Sequence, residues 1–345
     1  MFRSIRRLKR STHSKPHTPA IPQYSTGTIS MRFLTNLFAT SVMILMFTSK
    51  SPAVDLLYVS MGNNTIVSYD TTSNNGATIA TTESIFASTN LIDPYGIAFD
   101  SLGNLYAANL NNNYISKFNS SGVFQSTIGS PLNLNAPIGL AFDSSDNLYA
   151  ANRHSGISKF NSYGIYIDNI SANLGSLTGL AFDSSGNLYA SNTWGSSTTW
   201  DTISKFDTSG NYIGNIASHL STPMGIAIDS SDNLYSANAN GSYNTTISKF
   251  NSSGVYLSSI TSSLTSPFGL AIDSLDNIYA TNWVENTISK FDSSGNFLTS
   301  WSTGTHPASL AFKPITAPEP STYILVAVAA CTIAIISRQT KSNLK

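Results

Sequence analysis

The sequence predicts an all-β fold, a six-bladed β-propeller over residues 54–317, on three observations. A phrase of 15 residues recurs five times at a period in the forties. Each recurrence divides into four short apolar segments separated by Ser, Asn, Asp and Gly. The two ends of the repeat region each hold part of a sixth unit. A period of this length with about four strands per unit marks a propeller blade, stacked only on its neighbours.

The phrase reads YGIAFDSLGNLYAAN from Tyr95, IGLAFDSSDNLYAAN from Ile138 and TGLAFDSSGNLYASN from Thr178. It continues as MGIAIDSSDNLYSAN from Met224 and FGLAIDSLDNIYATN from Phe268. The signature glycines Gly96, Gly139, Gly179, Gly225 and Gly269 are spaced by 43, 40, 46 and 44 residues. The first strand is Gly-[Ile/Leu]-Ala-[Phe/Ile]-Asp, and a tight polar turn leads to the second, Leu/Ile-Tyr-Ala/Ser. A variable loop precedes the third strand, Ile-Ser-Lys-Phe, and a Ser-Gly turn precedes the fourth, Gly-x-[Phe/Tyr]-x-x-x-[Ile/Trp]. Apolar and polar residues alternate over segments bounded by turn formers, as half-buried strands require. The sixth blade is split. Pro307 to Phe312 supplies its first strand, and Leu57–Ser60, Thr65–Tyr69 and a looser strand near Ile79–Phe86 supply the rest. Joining the two ends in one blade removes exposed edges.

The wording Pro-x-Gly-[Ile/Leu]-Ala-[Phe/Ile]-Asp-…-Gly-Asn-Leu-Tyr-Ala-x-Asn resembles the NHL repeat over nearly all of residues 55–313. Two departures stand out: Asn ends the second strand where the repeat usually has Asp, and Leu177 replaces the leading proline of the third blade. The resemblance implies a rigid disc with a variable face. Related propellers include streptogramin lyases and gluconolactonase-type enzymes, and the carboxylate-plus-Asn metal set of the latter is not evident in this sequence.

Charge is unevenly placed. No acid precedes Asp55, while eight bases do, and beyond residue 317 one acid, Glu319, faces three bases. Of 18 acids and 18 bases, 17 and 7 lie between, a net of about −10. An acidic body without a basic stripe excludes nucleic acid as a partner, because phosphate binding needs Lys and Arg. The single cysteine, Cys331, lies outside the repeat region. No disulfide is therefore expected in the propeller, and nothing there can misoxidise on export.

Both ends read as addresses. Met31-Arg32, the apolar stretch Phe33–Phe47 and the small residues Ser51 and Ala53 make a secretory signal in residues 1–53, with Met31 the expected start. Residues 318–345 carry Pro318-Glu319-Pro320, an apolar run from Tyr323 to Ile336, then Arg338 and Lys341. The run is short for a free span, which takes about 20 residues. This order of elements resembles the PEP-CTERM sorting signal of Gram-negative bacteria. The resemblance implies a membrane-anchored precursor, an exosortase-type processing enzyme as partner, and release to the cell surface or extracellular matrix. The usual arginine cluster is reduced here to Arg338 and Lys341, which weakens the positive-inside anchor.

Repetition sorts the candidate site residues. The turn aspartates Asp100, Asp143, Asp183, Asp229 and Asp273 recur in every full blade and are read as turn-fixing groups, with calcium as the alternative. The lysines Lys117, Lys159, Lys205, Lys249 and Lys290 are expected on an exposed strand face. Where blades differ is in the second-to-third loops and the inter-blade links, which share the face opposite the short turns; loops on a rigid scaffold are where binding residues concentrate. Trp194, Trp200, Trp283, Tyr243, Tyr114 and Arg153 fall there. Flat rings beside amides and hydroxyls suit sugars, so an extracellular polysaccharide or protein is the expected partner; the alternative is that these rings cap their own blades. Asn109, Asn152, Asn192, Asn238 and Asn282 end the second strands, either ringing a ligand or bonding loop backbone. Neutral amides make a poor divalent site, so neither metal nor cofactor is expected. His154, His219 and His306, in separate blades, supply the alternative reading of a lyase or lactonase base, with Asp201 and Glu285 the carboxylates in those loops. Trp301 replaces the Ile that closes a fourth strand and is expected in the core.

Overall fold

A computed structural model describes residues 56–71, 83–171, 174–194, 201–240 and 244–314. The secretory signal and the sorting motif with Pro318, Glu319, Pro320 and Arg338 lie outside the described residues, as do Trp200 and Tyr243 and the side chain of Trp194.

The chain begins with β1 (Leu56–Met61), β2 (Thr65–Asp70) and β3 (Ser84–Ala87). Blade one holds β4 (Pro94–Phe99), β5 (Leu105–Asn109), β6 (Tyr114–Phe118) and β7 (Phe124–Ile128). Blade two holds β8 (Pro137–Phe142), β9 (Leu148–Asn152), β10 (Gly156–Phe160) and β11 (Tyr166–Ile170). Blade three holds β12 (Ser176–Phe182), β13 (Leu188–Trp194), β14 (Thr202–Phe206) and β15 (Tyr212–Ile216). Blade four holds β16 (Pro223–Ile228), β17 (Leu234–Asn240), β18 (Asn244–Phe250) and β19 (Tyr256–Ile260). Blade five holds β20 (Pro267–Ile272), β21 (Ile278–Asn282), β22 (Thr287–Phe291) and β23 (Phe297–Ser302), and β24 (Pro307–Phe312) ends the described chain.

All six sheets are four-stranded and antiparallel, and the sixth runs β24-β1-β2-β3. The split blade closes the ring through Leu57↔Phe312, Tyr58↔Ala311 and Val59↔Leu310. At its outer edge β3 spans Ser84–Ala87, and residues 79–82 of the expected strand near Ile79–Phe86 lie outside the described residues.

Six hydrophobic clusters fill the six blade–blade interfaces. Tyr106, Ala108 and Ile115 of blade one meet Leu140, Leu148 and Phe160 of blade two, for example. Every second strand is therefore covered on both faces, and β5, β9 and β21 are buried along their whole length. The outer strands are instead largely open: Gln125, Ser126 and Thr127 of β7 are exposed before buried Ile128. Trp301 is buried against Tyr69 and Tyr279, as its place in the pattern predicts.

The innermost strands approach so closely that only glycine fits at the axis. A Cβ on Gly96 would lie 2.0 Å from the carbonyl oxygen of Ile138. One on Gly139 would lie 2.3 Å from that of Thr178, and one on Gly269 2.3 Å from that of Ala308. The space left along the axis is a cavity of about 80 Å³.

Candidate functional site

The two faces of the disc are built differently. On the short-turn face, Asp100 Oδ1 accepts from the backbone N–H of Leu102 and Asn104, at 3.1 and 2.8 Å. Its Oδ2 accepts from Asn104 Nδ2 at 2.7 Å and from the Tyr106 hydroxyl at 3.1 Å. The same arrangement recurs at Asp143, Asp183, Asp229 and Asp273. Each blade lysine lies over its own tyrosine ring, at 4.8 to 5.1 Å from the centroid. These lysines are half-buried rather than on an exposed strand face, because the ring and the turn carboxylate draw the ammonium inward. Among the described residues no group of three metal-ligating side chains occurs.

Asp146, Asp232 and Asp276 occupy left-handed turn positions that other blades fill with Gly103 and Gly186. Each of these aspartates accepts from the backbone N–H and hydroxyl of a serine in the preceding blade, as Ser101 to Asp146, Ser184 to Asp232 and Ser230 to Asp276. The choice of Asp or Gly thus decides whether two turns are clasped.

This network sets an acid limit. Burial opposes ionisation of Asp183 and Asp229, but hydrogen bonds from Asn187 and Asn233 outweigh it, with Lys205 adding to the first. Both carboxyls are held below the ordinary carboxylate value. A lowered folded value means stability that is complete above about pH 4 and lost as pH falls through the folded values. Urea midpoints are therefore expected to be flat from pH 7 to about pH 5 and to drop below about pH 4, with a shallower drop in Asn187→Ala. An acid limb unchanged by that substitution would contradict the assignment.

On the variable face, the five second-strand asparagines are buried at 0 to 1 % exposure; Asn192 and Asn238 lie inside β13 and β17, which run two residues further than expected. Asn152 Oδ1 accepts from the N–H of Asn135 at 3.0 Å, and its Nδ2 donates to Ser158 Oγ at 2.9 Å. Ser158 Oγ in turn donates to the carbonyl of Asn133. Asn109, Asn192, Asn238 and Asn282 repeat the pair with Ser116, Ser204, Ser248 and Ser289. Their oxygens accept from Ile92, Gly175, Ser221 and Thr265. Each asparagine fastens the incoming link to its blade, and its amide is occupied by the protein itself.

A second set of clasps joins neighbouring blades on this face. Asn64, Asn113, Asp201 and Asn286 all have positive φ, and their side-chain oxygens accept from the N–H of Asp93, Ala136, Thr222 and His306 in the next blade's link. Asp201 is thereby engaged in structure, while Glu285 is exposed.

At the axial mouth of this face the rings converge. Tyr95 of blade one meets Phe268 and Trp283 of blade five, at centroid distances of 5.6 and 5.8 Å. Phe268 and Trp283 are 5.2 Å apart, and His306 stacks on Trp283 at 5.0 Å. His306 is exposed, and the other three rings are half-buried. Burial raises the Tyr95 pKa, the Asp93 charge adds to this, and Arg153 opposes it, so both charged groups feel the mouth electrostatically.

Of the predicted site residues, Trp283 and His306 meet here, and Arg153 acts on Tyr95 through its charge. Tyr114 is half-buried at the start of β6, and His154 is exposed in the loop of blade two. His219 lies flat on Tyr256 of the outer strand β19, 3.7 Å between centroids and 7° between planes. The three histidines therefore occupy three separate settings. Tyr95 and Phe268 were not singled out by sequence. The available signal was the residue before each signature glycine, which reads Tyr95, Ile138, Thr178, Met224 and Phe268 within an otherwise repeated phrase.

No protein-family model matches the chain, and no curated protein matches it. Solved structures do. A nidogen/laminin complex aligns at 19% identity over 76% of this chain and 98% of that chain, with a TM-score of 0.65. A protein of unknown function from Bacteroides caccae aligns at 12% identity over 75% of this chain and 99% of that chain, with a TM-score of 0.57. A catalytically inactive virginiamycin B lyase from Staphylococcus aureus, with quinupristin, aligns at 17% identity over 64% of this chain and 77% of that chain, with a TM-score of 0.52. At such identities the likeness concerns the fold.

Proposed function

We propose that this chain is an exported, surface-sorted binding propeller of NHL-repeat type, whose variable-loop face recognises an extracellular glycan. The observation that carries the reading is the aromatic cluster of Tyr95, Phe268, Trp283 and His306, drawn to the axial mouth from different blades. Half-buried rings leave part of their surface to a ligand, and apolar C–H faces of sugars pack on such surfaces. The secretory signal, the Pro318-Glu319-Pro320 motif and processing by an exosortase-type enzyme belong to the same proposal.

The test is binding of the purified full chain to a glycan array and to bacterial exopolysaccharides, beside Trp283→Ala and Tyr95→Ala. At least about tenfold weaker binding is expected in each, from lost ring contacts of about 0.5–1.5 kcal/mol and the neighbours they support. Equal binding by a folded Trp283→Ala variant would sink the assignment of the site. A second reading, a lyase- or lactonase-type propeller with His306 as base, draws on that histidine's exposure at the mouth and on the virginiamycin B lyase likeness. Turnover abolished by His306→Ala would favour it.

A further inference from the structure

The disc carries most of its exposed apolar side chains on the short-turn face. Among the described residues, only Ile92, Leu132 and Val284 belong to the variable face, and Ile85 to the middle of β3. Every other exposed large apolar residue stands in a short turn or on the first two residues of an outer strand leaving one. The turn tips are the informative set. Leu102, Tyr163, Ile165 and Leu275 are 74, 88, 62 and 75 % exposed, and Val123 and Val255 are both 58 % exposed.

The blade pattern does not require these side chains. Where blades one and five have Leu102 and Leu275, the other full blades have Ser145, Ser185 and Ser231. Tyr163 stands where the others have Ser121, Ser209, Ser253 and Ser294. Blades three and five put Asn211 and Asn296 at the position of Val123, Ile165 and Val255. The turns close alike with either kind. Asn161 Oδ1 accepts from the N–H of Tyr163 and Ile165, just as Asp207 Oδ1 accepts from Ser209 and Asn211. Apolar tips therefore add nothing to the turns, and an exposed apolar surface of this kind marks a contact.

The chain leaves the propeller through the same face. Lys313 follows β24, and its ammonium donates to Ser120 O at 2.9 Å, in the turn that leads to Val123. Its Cε lies 3.1 Å from where a Cβ on Gly103 would stand, next to Leu102. The apolar run Tyr323–Ile336 begins ten residues beyond Lys313. Even a fully extended chain puts its start within about 35 Å of Lys313.

We propose that the short-turn face rests on a lipid bilayer, its apolar tips entering the headgroup boundary while the tail is inserted. Exposed aliphatic and tyrosine side chains are the types that this boundary takes up. The lipid is zwitterionic, because the face also carries the turn carboxylates and the propeller's net charge of about −10 repels an anionic surface. The disc then lies flat with its variable face outward. The inference rests on reading residues 323–336 as membrane-inserting, and not on what the variable face binds.

The test places the full chain in phosphatidylcholine and phosphatidylethanolamine vesicles that hold a headgroup nitroxide quencher. In a Cys331→Ser background a dye is attached at Leu102→Cys or, on the variable face, at Leu132→Cys. Quenching at least about threefold stronger is expected at position 102 than at 132. Replacing Val123, Tyr163, Ile165, Val255 and Leu275 by Ser should bring position 102 down to the level of 132, while thermal unfolding stays unchanged. The contact should survive high salt, and added phosphatidylglycerol should not strengthen it. Equal quenching at the two positions on vesicle-bound protein overturns the docking and leaves the tail reading standing. Failure of the full chain to join vesicles removes both. A dye at 102 that is sheltered from aqueous iodide yet untouched by the lipid quencher means that a second copy or the tail covers the face, which also overturns the docking. Stronger contact on anionic lipid overturns the zwitterionic assignment.

Discussion

A Gly96→Ala chain is expected not to close its ring. The added methyl would sit 2.0 Å from the Ile138 carbonyl oxygen and 3.0 Å from Gly139 Cα, both backbone atoms of the next innermost strand. Real Cβ atoms do not make such contacts, so the two blades must separate. Because each blade buries one face against the next, separation there exposes the cluster that holds Tyr106, Leu140 and Phe160. The expected cost exceeds about 4 kcal/mol, the range reserved for overpacked cores and broken networks. Soluble yield and near-ultraviolet circular dichroism should both collapse. Gly214→Ala, on the outer strand β15 with nothing within 4 Å of the new methyl, is the matched control. Equal melting temperatures for the two variants would show that the axis can breathe, contrary to this account.

Asn152→Asp should be nearly as damaging, and in a way that depends on pH. The Nδ2 of Asn152 faces the carbonyls of Ala150 and Gly156 at 3.3 and 3.2 Å and the hydroxyl of Ser158 at 2.9 Å. A carboxylate would set a negative oxygen against two carbonyl oxygens at a fully buried site. An uncompensated buried charge of this kind costs about 3–5 kcal/mol. The new carboxyl would prefer to stay protonated in the folded chain, so its folded pKa stands above its unfolded one. Relative to the parent, stability is then least reduced below about pH 4 and declines as pH rises towards the folded value. This is the reverse of the acid limb set by Asp183 and Asp229. A variant whose stability relative to the parent is the same at pH 4 and pH 7 would refute the clamp.

Blade count, strand order and the split sixth blade were legible because each blade repeats its neighbour, so Gly139 and Leu148 could be read by analogy with Gly96 and Leu105. The turn aspartates were legible because their partners lie two to six residues away, as in Asp100 with Leu102, Asn104 and Tyr106. The clasps were not. Asn113 meets Ala136 and Asn286 meets His306 across a blade boundary, in loops whose lengths differ, and no local spacing encodes the pairing. Asp232 and Gly186 satisfy the same positive φ, and only Ser184 opposite distinguishes them. The candidate site was legible in part for a related reason. Trp283 and His306 lie in variable segments, where function was sought, whereas Tyr95 and Phe268 lie inside the repeated phrase and were absorbed into it.

The closing pair of strands also decides how the disc carries load. Leu56 and Lys313 are bonded to each other at the short-turn face, so the chain enters and leaves the ring at one point. A pull that draws these two ends apart opens the β1–β24 ladder one rung at a time, beginning at Leu57 and Phe312. A pull on the tail against a ligand held at the variable loops runs along β24 instead, and strains every rung of that ladder together. The fold should therefore give way easily when its two ends are separated and resist when it is held by one end and tugged through its far face.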